Sequence, residues 1–170
     1  MSKAFTREDD DQPDRLAALP RPVLPPGAKN YLTRDGATRF EAELRNLAEV
    51  ERPVLAALAP AEPEAAMKLA RLDRRIRQLQ EILQSAVVVD PPAEQDQVRF
   101  GATIEVRDAA GELDRYRIVG VDEIDLDRGW ISFLSPLARA LMNKKVGEKV
   151  RFGPGTAPRV LEILRVEFEH

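Results

Sequence analysis

Glu62 and Glu64 are the residues of this chain best placed to do chemistry. They stand in and beside the short stretch Ala59-Pro60-Ala61-Glu62-Pro63, where two helical stripes meet. Carboxylates at the end of a stiff probe can share a hard cation held by another molecule. They also do something plainer, favouring the positive end of the helix that starts there. A second acidic set, Asp122, Glu123, Asp125 and Asp127, lacks the glycine and closing glutamate of an EF-hand loop and reads as a solvated turn between strands. The serines, at 2, 85, 132 and 135, have no histidine base to work with, because His170 is the single histidine. With no cysteine, thiol catalysis, disulfides and zinc-thiolate sites are excluded. Gly153-Pro154-Gly155 reads as a turn, and its proline removes an amide that a phosphate cradle needs. The chain is not expected to be an enzyme or to hold a cofactor of its own.

Two helices must carry the glutamates. Leu69, Leu72, Ile76, Leu79 and Leu83 recur at alternating spacings of three and four, one apolar stripe with a heptad period. Phe40, Leu44 and Leu47 begin a second stripe, continued by Val54 and Leu58. Helices joined so tightly fold back antiparallel. The first should start after Thr33, a good N-cap, with Asp35 in its first turn, and run to about Ala59. Pro53 should kink it or open a new segment. Glu51 falls where the stripe wants an apolar residue, with Val50 or Val54 as substitutes. The second helix should begin at Glu62 to Glu64, with Pro63 in its first turn, and end near Ser85. Its outward face carries Lys68, Arg71, Arg74 and Arg75, read either as a solvated face paired in part to Glu41, Glu43 or Glu49, or as a stripe lining an acidic groove in a partner.

After the Pro91-Pro92 linker the pattern changes to strands: 102–107, 113–121, 129–133, 146–152 and 159–168. Ser135-Pro136 opens a short helix, with Leu137, Ala138, Leu141 and Met142 on one side. The fold class is α+β: an antiparallel helical coiled-coil hairpin followed by a small antiparallel sheet with one short helix. The divisions are an acidic, proline-rich tail at 1–28, the hairpin at 29–90, a linker at 91–97 and the sheet domain at 98–170. The tail is expected to be flexible padding, a second anchor, or a strap on the basic face of the second helix. A net charge of −3 argues against a protein built mainly to grip nucleic acid, and sequence-specific DNA binding is not expected. No apolar run reaches the roughly 20 residues that span a bilayer, and the first residues lack a signal-peptide pattern. The expectation is a cytoplasmic monomer away from membranes.

Several segments together resemble the Gre family of bacterial transcription elongation factors, its B-type branch above all. They are Tyr31-Leu32-Thr33, Glu51-Arg52-Pro53, Arg71-Leu72-Asp73-Arg74-Arg75-Ile76, Phe100-Gly101-Ala102, Arg117-Ile118-Val119-Gly120 with Asp122-Glu123-Ile124, and Ser135-Pro136-Leu137-Ala138-Arg139-Ala140-Leu141. The resemblance implies a C-terminal domain like that of FK506-binding proteins, docked on the rim of the RNA polymerase secondary channel through Ser135, Pro136, Leu137 and Arg139. It implies a coiled coil reaching toward the polymerase magnesium, where the family's tip carboxylates help the polymerase cleave its own backtracked transcript. This chain departs at that tip. The family's Gly-Asp-x-x-Glu-Asn segment is missing, and the hairpin is about a dozen residues shorter, which removes about 9 Å of reach. Leu134 also stands where the family has a polar residue.

The leading expectation is thus a polymerase-binding regulator at the secondary channel that does not stimulate cleavage. One alternative is an active cleavage factor that uses Glu62 or Glu64. Another is an adaptor for a different protein, or a prolyl isomerase by analogy of fold.

Overall fold

The computed structural model describes residues 23–153 and 155–169. The tail read over 1–28 thus lies outside the described residues as far as residue 22. Its last part makes a turn in which Ala28 N–H donates to the Pro25 carbonyl at 3.0 Å, with Pro26 and Gly27 at the corners and Gly27 at φ +80°.

The chain then runs through strand β1 (Asn30–Thr33) into helix α1 (Arg34–Asn46), as the Thr33 cap predicts. A widened π-helical turn follows over Leu47–Glu51, then α2 (Arg52–Leu58). After the bend at 59–62, α3 (Pro63–Ser85) returns along the first arm and passes directly into β2 (Ala86–Val89). By the helical rise, each limb is about 35 Å long.

Strands β1 and β2 pair parallel, Asn30 opposite Ala86 and Thr33 opposite Val89. The sequence reading took Val87-Val88-Val89 only as the end of the helical region and missed this pair. Two four-residue segments far apart in sequence give no local pairing signal.

The seam is tight at the base and loose beyond it. Leu32, Ala37, Phe40, Leu79 and Ile82 are buried together, with Leu44, Leu47 and Leu83 packed around them. Ile82, not Leu83, is the buried residue of the last turn. Further out, Val50 and Val54 are 59% and 58% exposed, so neither fills the gap at Glu51. The reason is local. Pro53 has no N–H to return to the preceding turn, and the helix answers by widening, so that Arg52 N–H donates to the Leu47 carbonyl five residues back. The extra residue shifts the inward positions by one, and Leu55 and Ala59 are half-buried where Val54 and Leu58 were expected.

The remaining elements are β3 (Ala102–Asp108), β4 (Leu113–Val119), β5 (Trp130–Ser132), α4 (Pro136–Leu141), β6 (Lys149–Phe152) and β7 (Arg159–Phe168). They form one sheet in the order β5-β4-β3-β7-β6. The sheet is not wholly antiparallel: β5 joins β4 in parallel, Arg117 opposite Trp130. The stretch between β4 and β5 carries two 3₁₀ turns and serves as the crossover that a parallel pair requires. One face of the sheet, with Ile104, Val106, Ile118 and Ile163, packs under Leu137, Ala138 and Leu141 of α4. The class is α+β.

Candidate functional site

Four places hold the residues that a functional reading uses: the arm tip, the basic side of α3, the start of α4, and the joint between arm and sheet.

At the tip, Glu62 and Glu64 are both exposed. Glu62 caps α3 by position only, with no side-chain bond to the helix. Glu64 is held by Lys68 one turn later, Nζ to Oε1 at 2.7 Å, and the lysine's hydrogen bond and charge lower its carboxyl pKa. Among the described residues, no group of three or more histidine, aspartate or glutamate side chains gathers where a metal could sit. The pair at the tip is two separate surface carboxylates, one of them paired with a lysine.

The basic side of α3 is not one continuous free stripe. Arg75 forks onto Glu43 of α1, Nε to Oε1 at 2.6 Å and Nη2 to Oε2 at 2.8 Å, which ties the two limbs together. Arg52 and Asp73 make a second tie, 2.8 Å long. Lys68 answers Glu64, while Arg71 and Arg74 stand exposed between them. The pairing to Glu43 is among those anticipated from the charge pattern.

At the start of α4, Ser135 is the N-cap, its Oγ accepting from Ala138 N–H at 3.2 Å, and Pro136 fills the first helical position. Pro136 and Arg139 face solvent and Ser135 is half-buried. Leu137 turns into the core beside Ala138 and Leu141. Its side chain therefore supports the segment from beneath rather than offering itself to a partner. The presented surface is Pro136 and Arg139.

The joint escaped the sequence reading. Glu123, expected on a solvated turn, has a fully buried side chain. Its carboxylate accepts from Thr33 N–H at 2.9 Å, from Gly120 N–H at 3.1 Å, and from the Thr33 hydroxyl. Thr33 Oγ1 in turn accepts from Gly36 N–H at 3.0 Å, so the acid of one domain completes the N-cap of the other's first helix. Burial raises the Glu123 pKa, against the pull of those donors. The approach is so close that a Cβ on Gly36 would lie 1.8 Å from Glu123 Oε1, and one on Gly120 would lie 2.0 Å from the Tyr31 carbonyl oxygen.

Around this point the contacts multiply. Arg117, whose side chain is 3% exposed, forks onto Asp35 at 2.6 and 3.0 Å and reaches Glu169 at 3.0 Å. Burial alone would raise the Asp35 pKa, but the hydrogen bonds and charge of Arg117 bring it below its usual value. The guanidiniums of Arg39, Arg117 and Arg128 lie 4.9, 5.0 and 5.2 Å from the centre of the Trp130 ring. Tyr31, Phe100 and Phe133 form a trio with centroids 5.5 to 5.8 Å apart, Phe133 edge-on to both others and Tyr31 tilted on Phe100. Asn30 bridges Ser85 and Asp122. This arrangement fixes the direction of the arm on the sheet domain. The one sequence signal for it was the pairing of a Thr N-cap with Gly36, a small residue in the first turn of a helix.

Residues 93–168 match the family described as Transcription elongation factor, GreA/GreB, C-term. Transcription elongation factor GreB of Xanthomonas axonopodis pv. citri is 45% identical over 141 residues, spanning 74% of this chain and 84% of its own. The chain belongs to the GreA/GreB family of transcription elongation factors. Transcription elongation factor GreA of Cereibacter sphaeroides is 35% identical over 150 residues, spanning 81% of this chain and 99% of its own. A solved structure, the prokaryotic transcription elongation factor GreA/GreB from Nitrosomonas europaea, covers 83% of this chain and 99% of its own at 22% identity and a TM-score of 0.41. Within this Gre chain, the matched family segment contains Glu123, Arg117, Ser135, Pro136 and Arg139, whereas Glu62, Glu64 and the basic side of α3 lie before it. No helix among the described residues is long and apolar enough to cross a membrane.

Proposed function

We propose that this Gre protein binds bacterial RNA polymerase at the rim of the secondary channel and regulates transcription without stimulating transcript cleavage. In this reading residues 98–170 form the docking body, FKBP-like in fold, and Pro136 and Arg139 make the contact. Ser135 holds their turn and Leu137 anchors it below. Residues 29–90 are the arm, an antiparallel coiled coil, and 91–97 the linker. The joint at Glu123 and Arg117 aims the arm into the channel. The protein acts as a monomer in the cytoplasm, catalyses nothing itself and brings no cofactor.

The observation that carries the second half of the proposal is the tip. Glu62 and Glu64 are the carboxylates at the end of the arm, but Glu64 is paired with Lys68 and the Gly-Asp-x-x-Glu-Asn segment that the Gre resemblance implies is missing. Metal–ligand distances tolerate errors of only about 0.2 Å. An arm shortened by about 9 Å leaves such carboxylates short of the polymerase magnesium. The names of the curated relatives favour a competing reading, a working elongation factor in which Glu62 or Glu64 takes the metal role.

Two assays decide. Core polymerase should retain the protein in a pull-down, and Arg139→Ala should weaken that binding by about tenfold, the size expected for an arginine at an interface centre. Failure of the parent protein to bind would leave an adaptor for some other partner. On stalled, backtracked complexes, release of 3′ RNA fragments should match the no-factor control. Release above that control, lost in Glu62→Gln or Glu64→Gln, would establish the competing reading.

A further inference from the structure

Beside the joint, the outer face of the sheet carries a cavity of about 150 Å³ that the docking reading leaves unused. Strand geometry assembles its wall. Side chains alternate across a sheet, so with Ile104 and Ile118 in the core, Thr103, Arg115 and Arg117 point the other way. Pairing sets Thr103 beside Arg117 and Arg117 beside Trp130, one row across β3, β4 and β5. Arg128, on the 3₁₀ turn before β5, ends the row with its guanidinium 5.2 Å from the centre of the Trp130 ring. One water needs only about 15 Å³, so the cavity takes a group of several heavy atoms.

Charge and unused donors both mark it as a binding site. Three arginines line the cavity, at 115, 117 and 128, against one acid, Glu169. Glu169 is 54% exposed and touches Arg117 Nη1 through one oxygen at 3.0 Å. Arg115 and Arg128 are each 63% exposed, and their contacts to Glu167 and Asp125 are 3.8 and 3.3 Å long. Surface pairs of this kind are worth little and exchange readily. Beneath them, the Thr103 hydroxyl and Arg117 Nε have no hydrogen-bond partner among the described residues, although Thr103 and Arg117 are only 6% and 3% exposed. Folded proteins match nearly all their buried polar groups, so two orphans in one wall call for a ligand.

We propose that this cavity binds a phosphate dianion, either free or as the phosphoryl group of a small phosphomonoester. Three guanidiniums over one carboxylate leave an excess of two positive charges, and a phosphate brings about −2 at pH 7. Its oxygens take Arg117 over from Glu169, accept from the Thr103 hydroxyl, and meet the planar forks of Arg115 and Arg128, whose geometry suits phosphate. A carboxylate offers half the charge and too few oxygens for four donor groups, and the same guanidiniums repel a cation. Arg117 keeps its fork on Asp35, so the anion lies one side chain away from the first turn of α1. The proposal stands apart from polymerase docking and is tested without it.

Trp130 is the single tryptophan and lines the cavity, so its emission reports on the site. With the full chain in phosphate-free buffer, inorganic phosphate should shift that emission saturably, with half the effect at about 1 mM or lower. Equilibrium dialysis with labelled phosphate should give the same constant, and sodium chloride at matched ionic strength should give no saturable response. Arg115→Gln, at an exposed position that leaves the fold alone, should weaken binding about tenfold. Thr103→Val removes a hydroxyl with no described partner, so it should leave the melting temperature unchanged while weakening binding about fivefold. Glycerol 3-phosphate separates the sources: binding as tight or tighter assigns the site to a phosphomonoester, and weaker binding assigns it to the free anion. No saturation, an equal response to chloride, or binding that either substitution leaves unmoved overturns the proposal.

Discussion

The base of the arm and its outer half are made from the same two limbs, yet they are held by opposite means. At the base, burial, a shared carboxylate, a guanidinium fork and an aromatic trio act on the same few residues. Thr33 alone is a strand residue, a helix cap and the ligand of Glu123. Beyond the π turn the limbs share few fully buried side chains, and polar ties such as Arg52–Asp73 stand in for a core. The difference teaches where this molecule needs accuracy. An angular error at the base grows along the arm, so the base is over-determined. The outer half has only to stay extended and present its surface.

The sharpest way to break this contrast is Gly120→Ala. Its Cβ would sit 2.0 Å from the backbone oxygen of Tyr31, which cannot swing aside as a side chain does. We expect a loss of more than about 4 kcal/mol, read by chemical denaturation, in the range reserved for a few severe mechanisms. A near-neutral result would show that the two domains do not meet at this point.

A matched pair comes next. Leu79→Ala, at a fully buried site, should cost about 2–5 kcal/mol. Val54→Ala, at a 58% exposed site, should stay within about 0.5 kcal/mol. Equal costs would erase the distinction between base and outer arm.

The smallest effect is in the pH dependence, and the two carboxyls of the joint oppose each other. Asp35 is lowered on folding, so its stabilisation is present above its unfolded value, about 3.9, and is lost as the pH falls through its lower folded value. Glu123 is raised, so its buried charge costs stability at neutral pH, and that cost is relieved as the pH falls through its raised value. Denaturation curves taken across mildly acid pH should therefore show a gain that disappears in Glu123→Gln. At lower pH they should show a loss that is reduced in Asp35→Asn. An unchanged slope in Glu123→Gln would mean the carboxyl is solvated after all.

The elements themselves were legible because their signals are local: a threonine cap before Asp35, a proline opening α3, Ser135-Pro136 opening α4, and stripes of period 3.6. What was missed depends on partners far away in sequence. Nothing in Asp122-Glu123 distinguishes a wet turn from a buried carboxylate; Thr33, ninety residues earlier, decides it. The parallel β5 followed from the path of a crossover rather than from the composition of the strand. The outer seam was misphased because Pro53, lacking an N–H, admits a kink, a new segment or a widened turn, and the residue pattern does not say which of these forms. Of the residues singled out, Ser135 and Pro136 open α4 as their types implied, Leu137 turns into the core, and Arg75 proved to be a strut between the limbs.

The widened turn at Leu47–Glu51 has a consequence for length. It is slack stored in one strand of a two-strand cable. Deleting one residue there should draw the slack out, leaving Leu55 and Ala59 still facing α3 and the tip where it was. The same deletion beyond Arg52 would swing the outer contacts around the axis by about 100°. In this arm the tolerance for losing a residue is concentrated in a single turn.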